Sequence, residues 1–273
     1  MAATPIGAAD DVTLRALDAL ARADVIAAED TRRARHLMSI HGIELGGRPV
    51  VPYHDHNGAA QRPKLLARIE AGESVVCVSD AGTPLIADPG WRLAKDAIDR
   101  GLPVAALPGA SALLAALTIA GLPTDRFMFA GFPPPKRGAR IRELTTLKEV
   151  PATLIFYESP RRLGAALADM RDVFGAAREA AVCRELTKLH EEARRGTLEA
   201  LAEDYADETP KGEIVICVGP PLAAENDPAA LDDAIRDALE TMSPRDAARA
   251  VAASLGVKRK DAYDRALALR SER

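Results

Sequence analysis

Two short polar clusters have the residue types for proton transfer. Ala28-Glu29-Asp30-Thr31-Arg32 sets two acids and a base directly after the apolar run Val25-Ile26-Ala27. Tyr53-His54-Asp55-His56-Asn57 sets five polar groups directly after Val50-Val51-Pro52. Side chains that gain and lose protons at such places are the material of acid–base catalysis. Glu29, His54 and Asp55 are the candidates. His54 and His56 would make half a metal site, but no third ligand follows at a recognisable spacing, so no metal is expected.

Three further segments have the composition of ligand loops. Thr4-Pro5-Ile6-Gly7 closes what reads as a first strand, and its glycine allows close backbone approach. Ser79-Asp80-Ala81-Gly82-Thr83-Pro84-Leu85-Ile86-Ala87-Asp88-Pro89-Gly90 follows a continuous apolar run and leads into a helix. Leu107-Pro108-Gly109-Ala110-Ser111-Ala112 repeats the arrangement one strand later, with Ser111 placed to cap the next helix. In open α/β sheets, ligands bind outside the carboxyl ends of strands, where these loops fall. Phe156-Tyr157-Glu158-Ser159-Pro160-Arg161-Arg162, Cys183-Arg184-Glu185-Leu186-Thr187-Lys188 and Lys211-Gly212-Glu213 flank strands farther along. Taken singly, each reads as an ion pair tying strand ends together.

The elements that must carry these groups alternate. Strands are expected at 25–28, 50–53, 75–79 and 104–107. Helices are expected at 12–22, with Leu14, Leu17 and Ala21 on one side, and at 30–38, 61–71, 90–100 and 110–120. This β-α alternation predicts an α/β domain with a largely parallel sheet. A second α/β unit follows, with strands at 127–129, 153–157, 181–185 and 214–218 and helices at 161–174 and 198–205. Pro133-Pro134-Pro135-Lys136-Arg137-Gly138 reads as a stiff basic loop. Pro220-Pro221 and the stretch 223–228 read as a linker. Helices at 231–242, 244–255 (Ser243 as cap, Gly256 as stop) and 258–270 then form a helix-turn-helix-like tail. The expected domains are 1–110, 111–222 and 229–273.

Bulk properties set limits. The chain has 273 residues and a net charge of −4, more acidic than most nucleic-acid binders. Two basic islands change that picture. Residues 133–148 carry Lys136, Arg137, Arg140, Arg142 and Lys148 against Glu143, and the tail from Arg245 onward carries eight bases against four acids. Such islands bind phosphates locally. Cys77, Cys183 and Cys217 each sit in an apolar run and read as buried thiols. No run is long enough to span a bilayer, and no secretion signal precedes Thr4, so no membrane association and a cytoplasmic location are expected.

Taken in order, T-P-I-G, A-E-D-T-R, H-D-H-N, S-D-A-G-T-P-L-I-A-D-P-G, L-P-G-A-S-A, F-Y-E-S-P-R-R, R-E-L-T-K and K-G-E resemble the ribosomal small-subunit RNA (cytidine 2′-O) methyltransferases, a branch of the tetrapyrrole-methylase superfamily. The likeness runs from Thr4 to about Val218. It implies a two-domain α/β fold with a helical extension, S-adenosylmethionine as methyl donor, a homodimer, and a cytidine ribose in the decoding region of 16S rRNA as acceptor. By motif, it places the donor against Pro5, Ala81, Gly82, Thr83, Ser111, Ala112, Tyr157, Glu158, Leu186, Gly212 and Glu213. Arg32, Lys136, Arg137, Arg161, Lys258, Arg259 and Lys260 are the expected RNA contacts. The chain departs from the pattern in having only Met1-Ala2-Ala3 before T-P-I-G, Ala8 in place of the usual asparagine, and Gly131-Phe132-Pro133-Pro134 in place of G-F-L-P. Two rivals stand beside this reading. One is a precorrin or diphthine methyltransferase of the same superfamily, against which the basic tail argues. The other is a non-enzymatic helix-turn-helix binder with a ligand-sensing body, against which the acidic balance argues.

Overall fold

The structure is a computed structural model describing residues 1–88, 90–222, 228–255 and 257–271. The linker expected over 223–227, the stop at Gly256 and Pro89 of the long loop lie outside the described residues. The chain divides into two compact units, Met1–Gly219 and Pro220–Arg273.

The first unit opens with α1 (Leu14–Arg22), β1 (Val25–Ala28), α2 (Thr31–Ile40), β2 (Val50–Pro52), α3 (Gly58–Glu70), β3 (Val75–Val78) and α4 (Trp91–Asp99). The three strands form a parallel sheet in the order β2-β1-β3. Central β1 is buried at all four positions, as an apolar strand covered on both faces must be. Thr13 caps α1 by accepting from the Ala16 amide at 3.2 Å. The face of α1 differs from the expected one: Leu14 is 85% exposed, while Ala16 and Leu20 are buried. Positions four apart share a helix face, and the pair 16/20 wins because it meets Ile26 and Ala28 in the core.

The strand expected at 104–107 does not form. Val104 is 41% exposed, and a single parallel bridge joins Leu107 to Ala2. The segment's backbone bonds run to the N-terminal residues: Ala3 donates to Leu107 at 3.1 Å and Leu107 to Met1 at 2.8 Å. So brief a ladder holds an extended segment without making a strand.

The second sheet follows α5 (Ala112–Ala120). It is built from β4 (Phe127–Gly131), β5 (Thr153–Glu158), β6 (Glu179–Arg184), β7 (Glu192–Thr197) and β8 (Ile214–Val218), in the order β4-β5-β8-β6-β7. Only β4 and β5 run parallel; the other neighbours are antiparallel. Helices α6 (Arg137–Leu147), α7 (Leu163–Phe174) and α8 (Leu198–Asp204) complete it. Leu144, Phe156, Leu167 and Ile216 pack in one core layer, and Leu117, Ile155 and Cys217 in another. All three cysteines are buried and free.

Two elements escape the sequence pattern. The expected basic loop holds over 133–136 but its last two residues open helix α6, which the sequence pattern did not announce, and Arg140 on it is buried against Asp169 of α7 at 2.6 Å. Strand β7 reads Glu-Ala-Arg-Arg-Gly-Thr, with no apolar run to betray it. It is an edge strand held by β6 alone and by cross-strand charge pairs such as Arg184–Glu192 at 2.9 Å.

The second unit is three helices: α9 (Pro228–Leu239), α10 (Pro244–Leu255) and α11 (Arg259–Ser271). Ser243 begins α10 as the sequence requires, its hydroxyl accepting from the Asp246 amide at 3.2 Å and donating to the Asp246 carboxylate at 2.7 Å. Ile235, Val251, Ala266 and Leu269 form its core. No helix among the described residues is long and apolar enough to cross a membrane.

Candidate active site

The parallel sheet brings the ends of β1, β2 and β3 to one edge, and hydrogen bonds stitch them together. The Asp30 amide donates to Asp80 at 2.8 Å, and the Asp80 amide donates to Glu29 at 3.2 Å. Asp30 also caps α2, accepting from the Arg32 amide at 2.8 Å. The Arg32 guanidinium returns to Asp30 at 2.6 Å and holds that carboxyl well below the usual carboxylate range.

The long loop after β3 is forced into an unusual path. Gly82 and Gly90 have φ of 80° and 128°, but so do two non-glycine residues lie on the positive side, Leu85 at 75° and Ala87 at 60°. Such conformations cost about 1–3 kcal/mol each for non-glycine residues. Tertiary contacts over-determine the loop: Gly82 exchanges two backbone bonds with Thr4 at 2.9 and 3.0 Å, and the Thr83 hydroxyl donates to the Ala110 carbonyl at 3.0 Å. Ser111 precedes α5 but makes no side-chain cap bond, contrary to expectation, so its hydroxyl is not consumed by the helix.

These loops wall one side of a cavity of about 370 Å³. The other side comes from the second sheet. Tyr157, at the end of β5, is packed edge-to-face against Phe129 at 4.8 Å and Phe132 at 5.5 Å between centroids. Its hydroxyl accepts from the Leu113 amide, and burial keeps its pKa above the ordinary value. Glu158 is buried, with its Oε1 accepting from the Ser159 amide at 2.7 Å and its Oε2 3.0 Å from Arg162 without hydrogen-bond geometry. Gly212 lies so close to Glu185 that a Cβ there would sit 2.4 Å from the carboxylate.

Ala81, Gly82, Thr83, Ser111, Ala112, Tyr157, Glu158, Gly212 and Glu213 all line this cavity. Two expected residues do not. Pro5 lines an adjoining cavity of about 380 Å³ that also holds Arg33, His36 and Lys188. Leu186 is 6% exposed and packs in the core beneath α5. Sequence reasoning missed Ile6, Asp88 and Phe132 in the lining. Ile6 and Asp88 belonged to motifs already singled out, and their immediate neighbours were the signal.

The three acid–base candidates are separated. His54 and Asp55 line a different cavity, of about 410 Å³, with Arg62, Trp91 and Arg92. The His54 Nδ1 there is buried without a hydrogen-bond partner among the described residues. Glu29 is in the lining of none of these three cavities; its pKa is raised mainly by burial and further by the Asp80 and Asp55 carboxylates. No group of three or more His, Cys, Asp or Glu among the described residues is placed to hold a metal. Of the expected RNA contacts, Lys136, Arg137 and Arg161 are exposed, and Arg137 also pairs with Asp169 at 2.8 Å. Lys258, Arg259 and Lys260 are exposed at the start of α11, in the second unit.

An open parallel sheet with a strained glycine loop over its carboxyl edge, joined to a mixed sheet across one cavity, is the architecture of a methyltransferase class. Residues 1–202 match the tetrapyrrole (corrin/porphyrin) methylases, and the chain belongs to that family. Residues 225–270 match the RsmI C-terminal HTH domain. A Mesorhizobium japonicum protein named ribosomal RNA small subunit methyltransferase I is 51% identical over 271 residues, covering 99% of this chain and 91% of its own length. Proteins of the same name from Pseudomonas aeruginosa and Mycobacterium tuberculosis are 43% and 45% identical, covering 97% and 100% of this chain and 95% of their own lengths. Among solved structures, diphthine synthase superposes with a TM-score of 0.60 at 16% identity, over 79% of this chain and 87% of its own. The Thermus thermophilus uroporphyrin-III C-methyltransferase gives 0.56 at 21%, over 80% and 92%. At such identities these two establish the fold alone.

Proposed function

We propose that the protein transfers a methyl group from S-adenosylmethionine to the ribose 2′-hydroxyl of a cytidine in the RNA of the small ribosomal subunit. One observation carries the reading: nine positions that match the donor-binding motifs, drawn from both sheets, meet on a single cavity. The cavity suits that donor. A Cβ on Gly212 would clash with Glu185 and one on Gly82 would press on Ile6, so bare backbone stands at both positions of the lining, beside the rings of Phe132 and Tyr157. When bound, the sulfonium supplies a methyl group already activated for displacement. The protein's task is then to place the hydroxyl oxygen in line and to manage its proton. Tritiated S-adenosylmethionine incubated with undermethylated small subunits should label their RNA. Label confined to protein or solvent would overturn the reading.

Acceptance of RNA rather than a tetrapyrrole or a protein is supported by the second unit. Positive side chains facing phosphates release counterions, which makes binding strong and salt-dependent. Changing Lys258, Arg259 and Lys260 together to alanine is expected to weaken subunit binding and to reduce the slope of log K against log salt by roughly two. Donor affinity should not change. Normal subunit binding by the triple variant would remove the RNA role from this tail. The reading includes a homodimer, which light scattering distinguishes from a monomer.

A further inference from the structure

We infer that the cavity at the end of β2 holds a nucleobase of the substrate RNA adjoining the methylated nucleotide, stacked on Trp91 and hydrogen-bonded to His54, a subsite that rests on the methyl-transfer reading above. This cavity, of about 410 Å³, shares no lining residue with the donor cavity. One loop walls both: Ile86 and Ala87 border the donor cavity, and Gly90, Trp91 and Arg92 border this one. An RNA strand whose target ribose reaches the donor therefore brings a neighbouring nucleotide to the second cavity.

Trp91 is the only tryptophan of the chain, and it is 56% exposed at the first position of α4. The helix does not need it for packing, because Leu93, Ala94 and Ala97 carry the buried face. RNA bases splayed out of a single strand stack on aromatic rings and on guanidinium planes. Both are present, since the Arg92 guanidinium stands over the Trp91 ring at 5.4 Å from its centroid.

His54 supplies the polar contact. Its Nδ1 is buried with no hydrogen-bond partner among the described residues. An unpaired buried nitrogen is costly, and a base edge carries both donors and acceptors, so it satisfies either tautomer. The loop that carries His54 is fixed in advance. The Asn57 carboxamide oxygen accepts from the His54 amide at 2.9 Å, and its nitrogen donates to the Pro52 carbonyl at 2.9 Å. His56 lies edge-on to the His54 ring, 6.0 Å away between centroids.

The charges favour a heterocycle over a phosphate. Arg62 is bound to Asp96 at 2.6 Å and hydrogen-bonded to Tyr53. That leaves one base, Arg92, against one acid, Asp55, in the lining. A phosphate contact draws on uncompensated positive charge, whereas a balanced lining suits a neutral ring. His54, a candidate for acid–base work by its sequence, then acts in binding and not in the chemical step.

The test measures single-turnover methyl transfer against small-subunit concentration for the wild-type protein, Trp91→Ala, Trp91→Phe and His54→Ala. Circular dichroism shows that each is folded, calorimetry reads donor affinity, and light scattering reads the oligomeric state. Trp91→Ala should raise the half-saturating subunit concentration by roughly 10-fold or more, the usual loss when one base loses its aromatic platform. Trp91→Phe keeps a ring and should recover most of that loss. His54→Ala should raise the same concentration by about fivefold. Limiting rates and donor affinities should match the wild type. Stacking releases no counterions, so the slope of log K for subunit binding against log salt should be the same in Trp91→Ala as in the wild type. Unchanged half-saturation in Trp91→Ala would overturn the inference. So would a flatter salt slope, which would mark a phosphate contact, or a slower limiting rate in His54→Ala at unchanged half-saturation, which would make His54 a catalytic residue. Conversion of a dimer to a monomer by Trp91→Ala would also overturn it, since the ring would then pack against a second copy. Failure of the wild-type protein itself to methylate subunits would instead overturn the functional reading.

Discussion

Gly82→Val is expected to weaken S-adenosylmethionine binding by about two orders of magnitude or more, a loss of roughly 3 kcal/mol. The added side chain obstructs the cavity, and the backbone strain that it brings weakens the fold. Gly82 has a φ of 80°, where a β-branched residue is a steric outlier costing about 1–3 kcal/mol. The backbone cannot relax away, because it is bonded to Thr4 in both directions. A Cβ at this position would already lie 3.1 Å from Ile6, and the two γ-methyls have only the cavity or the Ile6 side chain to enter. Calorimetry on the folded variant, with circular dichroism to show that it is folded, reads the effect. Unchanged affinity would mean that the donor binds elsewhere.

Asp169→Ala is expected to cost about 3–5 kcal/mol of stability, the range for removing one partner of a buried ion pair. Asp169 is 2% exposed on α7, and both of its oxygens are used. Oδ1 accepts from Arg137 at 2.8 Å, and Oδ2 accepts from the Arg140 Nε at 2.7 Å. Arg140 is itself 5% exposed and keeps only two long bonds, at 3.3 Å, to the carbonyls of Pro134 and Pro135. Deleting the carboxylate therefore strands a buried guanidinium. Whole domains are stable by about 5–15 kcal/mol, so the loss would be a large share of the total. Urea unfolding measures it, and a change under about 1 kcal/mol would show that Arg140 escapes to water. The prediction also bears on the basic island at 133–148: part of its charge holds α6 to α7 and is not available to RNA.

Much of the first sheet was legible in the sequence, and nine of the eleven residues proposed for the donor meet on one cavity. Apolar runs such as Val25–Ala28 and Val75–Val78 announce buried parallel strands, and dense glycine and proline between strand and helix announce a loop with a special path. What escaped has physical causes. Edge strand β7 is stabilised by charge pairs and one neighbour, so it lacks the hydrophobic signature of a strand. Helix α6 begins directly after three prolines and a lysine, and its buried residues include an arginine, so its inner face reads as polar. The separation of His54 and Asp55 from the donor cavity could not be read, because strand ends on the same edge of a sheet can open on different sides of it. Asp88 was quoted within a motif but not singled out, since the influence of Glu29, Asp80 and Asp55 on this half-buried carboxyl exists only once β1, β2 and β3 are side by side.

The central claim concerns one atom, the ribose oxygen that receives the methyl group. Small subunits labelled with tritiated S-adenosylmethionine can have their RNA digested to nucleosides and separated by chromatography with mass detection. The label should travel with 2′-O-methylcytidine and be absent when Gly82→Val replaces the wild-type protein. Label travelling with a base-methylated nucleoside, or transfer only to a tetrapyrrole offered in competition, would contradict it.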